Sequence, residues 1–182
     1  MKKLIIKRFA IGFATAFVFA AVLNTTALAQ TTPKLTDPEI ASVAVVANQG
    51  DIGFAEIAQK KSKNADILSF AKTMASDHQA VINQAVALVT KLKVTPQDNA
   101  VSKQMVANAA KTRKMLNSKS AKDFDKAYID NEVAYHKAVI AAVETVLIPQ
   151  SQNSELKGLL QQVVPTLKAH LEHAEMVQSN LK

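Results

Sequence analysis

Cysteine is absent from all 182 residues. That rules out disulfides, thiolate metal ligands, a cysteine nucleophile and a lipid-modified N-terminal cysteine. The chain also has no phosphate-binding loop, no HExxH pair and no Ser-His-Asp arrangement. No segment alternates polar and apolar residues as a half-buried strand does. Only Gly50, Gly53 and Gly158 supply glycine after residue 29. These absences together predict an all-α protein.

The one long apolar run, Phe9 to Leu23, is shorter than the ~20 residues that span a bilayer. Lys2, Lys3, Lys7 and Arg8 precede it, Asn24-Thr25-Thr26 breaks it, and Ala27-Leu28-Ala29 follows as a small-x-small cleavage site. Residues 1–29 therefore read as a cleaved signal peptide, and the mature protein is expected in the periplasm or cell envelope. An uncleaved N-terminal anchor is the alternative. The formal charge of +7 then shrinks, because four of the 22 basic residues lie in the signal, leaving 18 against 15 acidic. Lysines and glutamates are spread along the chain with little aromatic interleaving, so there is no nucleic-acid footprint.

Residues 30–35 form a polar, proline-containing leader expected to be flexible, and 36–182 one helical domain. Thr36-Asp37-Pro38-Glu39 starts a first helix that reaches about Lys61. Asn64 caps a second, to about Lys93, with a seam of Ile67, Ala71, Met74, His78, Val81, Ala85, Leu88 and Leu92. A third long helix, about Ala121 to Leu147, carries Ile129, Val133, His136, Ile140, Val143 and Leu147. A fourth, Asn153 to Lys182, carries Leu156, Leu160, Val163, Leu167, His170, Ala174, Val177 and Leu181. Ile148-Pro149-Gln150-Ser151 is expected to break the chain between these last two. Tight links make each pair antiparallel. Between the second and third long helices lies a polar helix, Val101 to Leu116, long enough to travel the length of the bundle. The expected fold is a ferritin-like four-helix bundle with one long helical crossover.

Three seams carry a histidine, and the first helix carries Asp51 among Ile40, Ala44, Ala47, Phe54 and Ala58. Asp51, His78, His136 and His170 each lie about four turns into their helices, so one layer of the core would hold all four. Neutral imidazoles with a carboxylate suit a divalent transition metal, namely zinc, iron, manganese or copper. The alternative is a hydrogen-bonded polar layer without metal. Gly50 and Gly53 would let another helix approach Asp51's turn closely.

Other residues are weaker candidates. Met74, one turn before His78, is a soft copper ligand or core filling. Glu132 lies at its seam's edge and reads as a solvated or supporting group. Asp77 faces a neighbouring helix or water, His173 is expected to be exposed, and Glu56 is the substitute carboxylate should Asp51 fall short. Pro165 should kink the last helix one turn before His170. The paired ExxH carboxylate-histidine signature of a di-iron bundle is missing from the candidate faces.

Phe70-Ala71-x-x-Met74-x-x-Asp77-His78, then Phe124-Asp125-x-x-Tyr128 with His136, then Pro165-x-Leu167-x-x-His170 form an ordered set of motifs. From about Pro38 to Leu181 the chain resembles the exported bacterial proteins grouped as domain of unknown function 4142. These are often labelled outer membrane proteins and thought ferritin-like. The resemblance matches His78, His136 and His170 to that family's recurrent histidines and places Asp51 where the family usually has glutamate. It adds no agreed activity. The expected function is metal binding in storage, buffering or stress defence. A metal-free, acid-responsive or protein-binding envelope module is the alternative, and no substrate for an enzyme is named.

Overall fold

The computed structural model describes residues 34–181, all helical apart from short links. The expected signal peptide, 1–29, and the leader up to residue 33 lie outside the described residues. Five long helices form: α1 (Asp37–Lys61), α2 (Ala65–Leu92), α3 (Ala100–Ser118), α4 (Ala121–Ala142) and, last, α6 (Ser154–Asn180). A π-helical stretch, Val143–Leu147, and a single turn, α5 (Ile148–Gln150), connect α4 to α6. No strand occurs among the described residues, and none of their helices is long and apolar enough to cross a membrane.

The helix starts follow from local chemistry. Glu39 reaches back to the Thr36 N–H at 2.8 Å, and the side chains of Asn64, Asn99 and Asn153 each accept two first-turn N–H bonds. Such caps satisfy donors that a helix leaves orphaned at its start. Asp37, at the start of α1, ties that helix to the start of α6, accepting from the N–H groups of Gln152 and Asn153 at 2.9 Å each.

Contacts at the ends set helix direction. The start of α3 lies beside the start of α1, where Gln97 N–H donates to the Pro38 carbonyl at 3.0 Å. At the other end Lys61 Nζ donates to the carbonyls of Asn117 and Lys119, at 2.7 and 2.9 Å. The crossover α3 therefore runs the full bundle alongside α1, a rise of ~28 Å for its 19 residues. It buries Ser102, Ala109 and Leu116, one residue every seven. With that segment returning lengthwise, α2 and α4 run parallel, as the crossover reading requires. Helices α1, α2, α6 and α4 enclose the core in that order.

Two details depart from expectation. The Ile148–Ser151 break is milder, because the chain stays helical through Gln150 and the Ile148 N–H reaches back five residues to Val143. The wide π turn absorbs the register change that Pro149 would otherwise force as a loop. Leu35, placed in the leader, is 5 % exposed and packs in the core beside Ile40 and Leu147.

Candidate metal centre

The histidine layer divides two unlike core regions. Towards the α2 start, Phe54, Phe70, Phe124 and Tyr128 pack with Met74 and Ile129, all at most 1 % exposed. Met74 belongs to this packing. Towards the opposite end the buried core is Leu, Ile and Val only.

The seam histidines converge. Ring centroids are 5.7 Å apart for His78 and His136, 5.3 Å for His78 and His170, and 5.6 Å for His136 and His170. All three are at most 5 % exposed, and one nitrogen of each lies within 4.8 Å of the others. Asp51, fully buried, approaches two of them, with Oδ2 at 3.4 Å from His78 Nε2 and 3.7 Å from His136 Nε2. A second group joins Asp51 and His136 to Glu132.

Each imidazole is held by one nitrogen. His78 Nδ1 lies 2.7 Å from Asn48 Oδ1; Asn48 Nδ2 donates to the Ala44 carbonyl, so the amide oxygen faces the ring, and Nδ1–H donates. His136 Nδ1–H donates to the Glu132 backbone carbonyl at 3.0 Å, and His170 Nε2–H to Asp77 Oδ2 at 2.9 Å. These acceptors fix the tautomers. The remaining nitrogens, His78 Nε2, His136 Nε2 and His170 Nδ1, are buried lone pairs with no hydrogen-bond partner in the protein. Both Asp51 oxygens and Glu132 Oε2 are in the same condition. A single such group costs about 1–3 kcal/mol. Six such atoms are gathered in one layer, three imidazole nitrogens and three carboxyl oxygens.

Electrostatics leads to the same place. No lysine or arginine is among the buried described residues. Burial pushes the Asp51 carboxyl up to about 7, and raises Glu132 well above the usual range, with the neighbouring Asp51 charge adding to it. Burial, reinforced by the other two histidines, lowers His78 to about 3, and burial lowers His136 to about 4. His78 and His136 are thus neutral and ready to ligate, while the carboxyls hold protons that a cation can displace.

Glu132 is the residue the seam misplaced. It is fully buried, not solvated, because α4 packs against α1 as well as α6 and so buries two stripes. Phe124, Tyr128, Glu132 and His136, at steps of four, are the second stripe, and this repeat was the available signal. Glu56, the substitute carboxylate, is exposed. His173 is half-buried, its ring edge-on to Phe70 at 5.1 Å. The helix α6 continues through Pro165, which is exposed. Gly50 does admit a close neighbour, since a Cβ there would meet Tyr135 Oη at 3.0 Å.

Nothing among curated proteins or solved structures matches the chain. A family match does extend over residues 22–177, covering α1 to α4 and nearly all of α6. The chain belongs to the family described as domain of unknown function (DUF4142).

Proposed function

We propose that this protein is an exported helical bundle that holds one divalent transition metal ion in its histidine layer, for storage, buffering or stress defence. The observation that carries the reading is the set of three imidazole lone pairs, each orphaned, buried and backed by a hydrogen bond on the opposite nitrogen. Ligating histidines are oriented in this way by partners beyond the metal.

His136 has one free nitrogen, since Nδ1 is committed to the Glu132 carbonyl, so it serves one ion and cannot bridge two. His78, His136 and His170 supply nitrogen, Asp51 oxygen, and Glu132 a second negative charge beside them. Zinc, iron, manganese and copper all accept this donor set. Elemental analysis of protein purified from metal-replete medium should give about one equivalent, and His78→Ala or His136→Ala should abolish it. A content well under one equivalent in the unaltered protein would sink the reading.

A metal-free envelope module is the second reading. It is supported by the same proton distribution: neutral His78 and His136 beside protonated Asp51 and Glu132 need no cation to balance them. Metal content decides between the two.

A further inference from the structure

A cavity of about 290 Å³ begins at the histidine layer and runs to the Leu35 end of the bundle. His78 and His170 form its polar end, with Asn48 and Tyr135 beside them. The rest is almost entirely aliphatic, including Ala85, Leu88, Leu147, Leu160 and Val163. No charged side chain lines it. Exposed residues Ala142 and Thr166 also line it, so the cavity reaches the surface between α4 and α6. The π-helical stretch contributes Val143, Val146 and Leu147 to the wall. Such wide turns recur at functional sites.

An apolar void is unfavourable in proportion to its size, and water gains no hydrogen bonds along Leu and Val. The size is near the lower limit of ligand pockets, ~300 Å³. We infer that the cavity binds an aliphatic molecule with a single uncharged hydroxyl head, seated with its head at His78 and His170 and its tail towards Leu35 and Leu147. The buried lone pair of His170 Nδ1 accepts from a hydroxyl. A charged head would be buried without a counter-charge. Asn48 Oδ1 and Tyr135 Oη keep acceptor capacity whether or not the histidines hold an ion, so the inference does not rest on the metal reading.

The test is calorimetric titration of the purified protein with 1-decanol, decane and decanoate, with metal content measured on the same samples. Decanol should bind saturably at one per chain, and decane and ionised decanoate each about tenfold more weakly, or ~1.4 kcal/mol. Ala85→Phe and Val163→Trp each fill the cavity without touching a histidine, and each should weaken decanol about tenfold or more. Circular dichroism identifies the folded variants, and either one suffices. No saturable decanol binding, undiminished binding in a folded filling variant, or equal binding of decane overturns the inference. Metal-free protein that binds decanol would end the metal reading alone, and metal-loaded protein that binds none would end this one alone.

Discussion

The two ends of the core differ in filling. On one side of the histidine layer Phe70 meets Tyr128 at 6.2 Å and Phe124 stacks on Tyr128 at 6.1 Å, with these rings wholly buried. On the other side no ring contributes to the core, several of its leucines and valines are half-buried, and the cavity occupies the axis. Large planar groups close space that the branched aliphatics at the other end leave open. The bundle thus has a stiff end that fixes the histidines and a looser end that leads to them.

Mutation should first separate the two ends by stability. Phe70→Ala, in the filled end, should cost about 3–5 kcal/mol in urea unfolding, whereas Val163→Ala beside the cavity should cost about 1 kcal/mol or less. Equal costs would show that the two ends are packed alike.

The layer between them should respond to metal and pH in opposite ways. The unperturbed side chains titrate at ~3.9 for Asp, ~4.3 for Glu and ~6.5 for His. From about pH 4.5 to 6 the metal-free folded chain keeps protons on Asp51 and Glu132, and the unfolded chain keeps them on His78 and His136. The counts balance, so these groups leave stability nearly level there. The stability from Asp51's raised pKa is present at low pH and lost as pH rises through about 7, while that from the lowered histidines is present above ~6.5 and lost towards pH 4. Metal-free protein should therefore lose thermal stability between about pH 6.5 and 8.5, and Asp51→Asn should flatten that decline. A melting temperature that rises over this range would refute the protonated-carboxyl assignment. Metal binding near pH 6 should release protons, read as a dependence of binding heat on buffer ionisation; Glu132→Gln should reduce the release.

The smallest effect sharpens the geometry at the layer's edge. Gly50→Ala gains helix propensity, up to about 1 kcal/mol, but brings a Cβ to 3.0 Å from Tyr135 Oη. That hydroxyl is tethered to the Ala47 carbonyl at 2.7 Å and cannot move without losing its bond. Denaturation should show no gain and up to about 1 kcal/mol of loss. A clear stabilisation would mean that Tyr135 moves aside freely.

Helix periodicity made much of this legible. Ile129, Val133, His136, Ile140, Val143 and Leu147 all occupy the buried face that their steps of three and four imply. The seam also placed His78 and His170 inside, since a side chain's face on a helix depends only on its position in the chain. Level along the axis came from equal distance to the helix starts, which caps such as Asn64 and Asn153 mark in the sequence. These are local properties, and the sequence by itself determined them: five helices, their inward faces and the three histidines among them.

Only the tertiary structure decided what each face meets. Glu132 became interior because α4 has two neighbours, and Asn48 and Asp77 became the anchors of His78 and His170 because of how those helices are rotated against one another. The cavity arises likewise from the spacing of five elements around residues that, read singly, are ordinary core valines and leucines. Burial, and with it the displaced protons of Asp51 and Glu132, depends on everything packed around a group and not on its own helix alone.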